Sequence, residues 1–146
     1  MCRRASIEVI AACTLTLVCG ARAAIADAVA VVSSKSVITS LSKVEMADIF
    51  LGKSSHFPGG VTAVPIDLQE GSSTRDDFYK RLTGKSAAQL KTYWTKIIFT
   101  GRGEPPREAS SSAVMKRLLL ENSSAIGYLE ANLVDASLRV VAVVGE

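Results

Sequence analysis

The sequence is short of the residues around which most catalytic centres are built. Its 146 residues include one histidine, three cysteines and one tryptophan. A lone imidazole, His56, cannot supply the ligands of a structural zinc site, and it leaves any serine-histidine chemistry dependent on that one ring. All three cysteines, Cys2, Cys13 and Cys19, fall near the amino terminus. Neither sign of charge dominates: 17 Lys+Arg face 14 Asp+Glu, a formal net charge of +3, without the basic excess of a nucleic-acid-binding domain. No apolar run reaches the ~20 residues that a membrane span needs. Charged residues at 21% and hydrophobic ones at 48% exclude the composition of a disordered chain.

What is present begins with a leader. Arg3 and Arg4 precede an apolar run from Ile7 to Gly20, and then come Ala21-Arg22-Ala23 and Ala24-Ile25-Ala26, two small-x-small cleavage sites. This is the layout of a secretory signal peptide over 1–26, cut after Ala26 or Ala23. Ile10-Ala11-Ala12-Cys13 has the look of a lipid-attachment box but comes too early, with almost no apolar run before it. Cleavage would remove every cysteine, so no disulfide and no thiol nucleophile is expected in 27–146. A chain of that length holds one core and one domain.

Strand and helix signals alternate along 27–146. Ala28 to Val32 is a valine-rich run of the kind buried on both faces. Ser42-x-x-Glu45 is a capping box opening a helix that ends near Gly52. Val61 to Ile66 reads as a second strand after the Pro58-Gly59-Gly60 turn. A helix is expected from about Ser73 to Leu82. Another runs from the Ser86-x-x-Gln89 box to about Phe99, with Leu90, Trp94, Ile97 and Ile98 on its core side. Gly101 to Pro106 must be loop. Ser110 to Ser112 cap a helix ending near Asn122, and Ala125 to Leu129 and Leu138 to Val144 are the remaining strands. The pattern implies one α/β domain, a mainly parallel sheet with helices on both faces.

Chemistry concentrates at Glu70-Gly71-Ser72-Ser73-Thr74-Arg75, between a buried strand and a helix. The first amides of a helix lack intrahelical partners, and with the helix dipole they make an anion site. Gly71 permits close approach, Ser72, Ser73 and Thr74 add hydroxyls, and Arg75 adds charge. A plainer role is helix capping by Ser73 or Thr74, with Asp76 or Asp77 completing the box. His56 sits in the Ser54 to Pro58 turn and reads as a solvated loop residue. Asp67 and Glu70 read as charges at a strand exit, Tyr93, Trp94 and Phe99 as core packing, and Lys91 and Lys96 as solvent-facing. Gly101-Arg102-Gly103 reads as a helix stop and surface loop. No catalytic residue, cofactor motif or metal-ligand spacing emerges, and no enzymatic activity is expected.

Three segments in order resemble one family. They are Ala47-Asp48-Ile49-Phe50-Leu51-Gly52-Lys53, Gly71-Ser72-Ser73-Thr74 with Phe78 four residues on, and Ala125-Ile126-Gly127-Tyr128-Leu129. The family is the phosphate-binding protein of bacterial ABC phosphate uptake, a type 2 periplasmic binding protein. The resemblance covers roughly Val29 to Leu138 and matches only the second of the family's two lobes. It implies a three-layer α/β lobe, a periplasmic location, and a loop whose amides and hydroxyls hold inorganic phosphate or a similar oxyanion. Carried over by residue, the anion site is Gly71, Ser72, Ser73, Thr74 and, as a substitute charge, Arg75. Ser73 stands where the family has glycine, and Leu68 stands where it has an arginine. An ABC transporter or another periplasmic protein is the implied partner, and a second copy in a homodimer would be one source of the opposite wall. The alternative expectation is a periplasmic interaction or sensory domain that keeps the lobe without a small ligand.

Overall fold

The computed structural model describes residues 27–144. The expected signal peptide, its cleavage sites and the three cysteines lie outside the described residues.

Five strands form one sheet: β1 (Ala28–Ser33), β2 (Val64–Leu68), β3 (Arg107–Ala109), β4 (Ala125–Glu130) and β5 (Leu138–Val143). Their order across the sheet is β3-β2-β4-β1-β5. β2 pairs parallel with β3 and with β4, whereas β1 pairs antiparallel with β4 and with β5. Four strands therefore point one way and β1 runs against them. The expected α/β lobe is present, and its mainly parallel sheet is mixed because β1 is reversed in its middle.

β1 is buried along its whole length, as an apolar run without alternation requires. β5 is an edge strand that buries Leu138 and Val141 and exposes Val140 and Val143, and its pairing with β1 shifts register at Ala30/Val31 instead of alternating regularly. β2 begins later than expected, at Val64 rather than Val61, because Val61 belongs to a turn closed by the His56–Thr62 bridge. β3 has no counterpart among the expected strands. Only Ala109 of its three residues is buried, so it carries no apolar run to read.

Among the described residues there are four α-helices, α1 (Lys43–Phe50), α2 (Ser73–Thr83), α3 (Ala87–Phe99) and α4 (Ser112–Glu121). The capping boxes of Ser42 with Glu45 and of Ser86 with Gln89 are both formed. α4 lies on one face of the sheet, where Gly127 of β4 meets Met115 and Leu119. On the other face, next in the strand, Tyr128 stacks on Phe78 at 3.9 Å between ring centroids. Phe50 and Tyr79 close this cluster edge-on, so α1, α2 and β4 share one aromatic core.

α3 departs from expectation. Leu90 and Trp94 are buried, but Ile98 is 55% and Phe99 91% exposed. The helix packs on α2 rather than on the sheet, so only a narrow stripe is covered. Trp94 reaches Gly52 at the end of α1, and the Tyr93 hydroxyl donates to the Leu51 carbonyl at 2.6 Å. Those contacts hold the first half of α3 and leave its last turn outside the core.

Candidate functional site

β2 ends at Leu68, and the chain turns through Gln69, Glu70 and Gly71 into α2. Gly71 has φ +94°, a conformation other residues rarely adopt, in the turn that leads the chain into α2. Ser72, rather than Ser73 or Thr74, is the N-cap. Its hydroxyl accepts from the Arg75 amide at 3.3 Å, and its own amide donates to the Gln69 carbonyl at 3.2 Å. Neither Asp76 nor Asp77 completes a capping box: one carboxylate oxygen of Asp76 is buried without a partner among the described residues, and Asp77 pairs with Arg81 at 2.9 Å.

Among the described residues the amides of Gly71, Ser73 and Thr74 form no hydrogen bond. The Ser73 side chain is exposed and has no hydrogen-bond partner there. Thr74 is placed differently. Its hydroxyl donates to Glu130 at the end of β4, at 3.0 Å. A carboxylate thus stands beside the helix mouth from β4, and Glu70 stands beside it from the loop, where Lys91 pairs with it at 3.1 Å. Of the five expected site residues, the structure brings Gly71, Ser73 and Thr74 together as free amide donors and uses the Ser72 hydroxyl as a cap.

Arg75 is drawn inward. It is 8% exposed, and its Nε donates to Asp67 Oδ2 at 3.0 Å. The Tyr79 hydroxyl donates to the same oxygen at 3.1 Å, and the Tyr128 hydroxyl donates to Asp67 Oδ1. Tyr128 in turn accepts from the Leu68 amide at 3.1 Å. Burial pushes the Asp67 carboxyl above the ordinary carboxylate range, while the bond from Tyr128 and the charge of Arg75 pull it back. Burial and the nearby Asp67 raise both phenols, so Tyr79 and Tyr128 remain donors. Asp67 was expected only as a charge at a strand exit. Its position at the buried end of β2, with an arginine one turn into the next helix, is the signal that could have singled it out.

Beside this network lies a cleft of about 210 Å³ between the start of α2, α3 and β3, with Arg75, Trp94, Ile98, Pro105, Glu70 and Glu108 in its wall. Elsewhere, His56 is exposed and bonded to Ser55 at 2.9 Å in its turn. Among the described residues no cluster of metal-ligating side chains occurs, and no helix is long and apolar enough to cross a membrane.

No family model matches this chain, and no curated protein matches it. Solved structures do. One is described as a phosphate ABC transporter substrate-binding protein with bound phosphate from Clostridium perfringens, 24% identical with TM-score 0.63 over 80% of this chain and 45% of that one. An ABC-type phosphate transport receptor from Vibrio cholerae is 18% identical with TM-score 0.62, again over 80% and 45%. PstS from Borrelia burgdorferi is 12% identical with TM-score 0.60, over 80% and 47%. These likenesses establish the fold: the chain has the architecture of one lobe of such proteins and spans less than half of their length.

Proposed function

We propose that this chain, built like one lobe of a phosphate-transporter substrate-binding protein, is a secreted solute-binding module that takes a tetrahedral oxyanion at the mouth of α2. Phosphate is the first candidate, because the structural neighbours are phosphate receptors and one of them has phosphate bound. The observation that carries the reading is the set of unpaired amides at Gly71, Ser73 and Thr74 at the turn into α2. Such amides, with the dipole of an eleven-residue helix behind them, attract an anion without help from a cation.

Two features set the strength low. Glu130 and Glu70 repel a dianion, and Arg75 directs its Nε to Asp67 rather than to the mouth. A single lobe also leaves half of a bound oxyanion in water, where its charge is screened. Affinity in the millimolar range follows, rising where a second wall is supplied by another protein or a second copy. Binding rather than catalysis is the role, in the periplasm, with an ABC transporter as the natural partner.

A second reading has its own observation. The Ser72 and Thr74 hydroxyls are both engaged within the protein, and the exposed last turn of α3 brings Ile98 to a cleft shared with Glu70 and Arg75. A lobe that keeps its frame and presents this face to a protein partner would look the same. Calorimetric titration with phosphate and with sulfate separates the two. Saturable phosphate heat that weakens at high salt supports the oxyanion site. No heat at tens of millimolar phosphate favours the interaction role.

A further inference from the structure

The cleft beside the Asp67 network has features that the α2 mouth does not use. Arg75 forms part of its wall, yet only Nε of that guanidinium is engaged; among the described residues its two terminal nitrogens have no hydrogen-bond partner. Trp94, 6% exposed, forms another part, and its indole nitrogen is buried without a partner among the described residues. The free Arg75 nitrogens therefore open onto the cleft, whereas the Trp94 nitrogen is sealed from it. Asp67, Tyr79 and Tyr128 fix the guanidinium from behind, and the Tyr79 ring lies under it at 5.3 Å from the Arg75 Cζ. The free edge is therefore held in one orientation before any ligand arrives.

We infer that this cleft is a binding site for a small organic monocarboxylate, separate from the oxyanion mouth. Two parallel guanidinium N–H groups match the spacing of two carboxylate oxygens. Trp94, Ile98 and Pro105 offer an apolar wall that inorganic phosphate cannot use but an aromatic or branched body can. Glu70 is paired with Lys91, which also lines the cleft, so Glu108 is the carboxylate without an ion pair among the described residues, and it disfavours a dianion over a single charge. At about 210 Å³ the space suits a ligand well below drug size. This inference does not depend on the reading of the α2 mouth.

Trp94 is the only tryptophan, so its emission reports on the cleft directly. The experiment is a titration of the protein with benzoate at constant ionic strength, followed by that emission, with inorganic phosphate as a parallel arm. A saturable change with benzoate, about tenfold or more weakened in Arg75→Lys, supports the site, since lysine keeps the charge and loses the fork. Should Arg75→Lys fail to fold, Trp94→Phe followed by calorimetry takes its place, and several-fold weaker benzoate binding is expected. No benzoate response in the wild type, or a response unchanged in the folded variant, overturns the inference. Phosphate competing at the same midpoint overturns the assignment to a carboxylate. Phosphate heat that vanishes while the benzoate response stays would instead remove only the reading of the α2 mouth.

Discussion

Replacing Asp67 with asparagine keeps the side chain's shape but puts an NH2 where a carboxylate oxygen accepts from Arg75, Tyr79 or Tyr128. Both Asp67 and Arg75 are buried, at 2% and 8% exposure, so at least one buried donor then meets another donor. We expect Asp67→Asn to lower the unfolding free energy by about 1–3 kcal/mol in denaturant titration. A neutral or stabilising result would show that the network does not need both acceptor oxygens. Asp135 behaves differently because it is exposed. Hydrogen bonds from Lys116 and then Ser137 hold its carboxyl down to about 2 from the ordinary 3.8. A depressed acid stabilises the fold above its ordinary value and loses that contribution as pH falls. Asp135→Asn and the wild type should therefore differ slightly in Tm at neutral pH and converge as pH falls towards about 2. A gap that widens in acid contradicts this assignment. For Asp67 the sign is reversed: its raised pKa gives a contribution present in acid and lost as pH rises through the folded value. At the α2 mouth, Glu130→Gln removes a like charge and leaves Thr74 its neighbour, so phosphate affinity measured by calorimetry should rise several-fold.

At the scale of elements, the three segments that resemble phosphate-binding proteins turn out to meet in space. Phe50 of α1, Phe78 of α2 and Tyr128 of β4 pack into one aromatic cluster, and Tyr128 carries the hydrogen bond to Asp67. Gly127 has the opposite duty. A Cβ there would overlap Met115 Sδ and press on Leu119 at 3.4 Å, so the glycine sets how closely α4 approaches β4. Gly127→Ala should cost about 1–3 kcal/mol in unfolding free energy, through overpacking. A neutral result would mean that Met115 swings aside freely. Most elements were legible because their signals are local: capping boxes at Ser42 and Ser86, an unbroken apolar run at β1, and a proline pair ending the α3 loop. β3 was not legible, since its three residues pair by backbone bonds to β2 and bury only Ala109. The exposed end of α3 was not legible either. Helical spacing places Ile97 and Ile98 on the side of Leu90 and Trp94 but does not say whether a neighbour covers that side in the last turn.

For the whole molecule, the loop from Gly71 to Thr74 was legible as a helix mouth with free amides, because the number of unpaired donors at a helix start is fixed by geometry. Which hydroxyls remain free was not legible. That depends on Glu130, fifty-six residues further along the chain from Thr74, and on the choice of Ser72 as cap. The inward course of Arg75 was hidden for the same reason, since its partners come from β2, α2 and β4 together. A frame of one lobe, spanning less than half of the receptors it resembles in fold, is thus joined to a mouth whose donors are backbone groups. The most direct measurement is the backbone amide spectrum of nitrogen-labelled protein during a phosphate titration. Gly71, Ser73 and Thr74 should shift together and saturate in the millimolar range, while the amides of β5 stay still. If those three resonances do not move at tens of millimolar phosphate, the mouth of α2 holds no oxyanion.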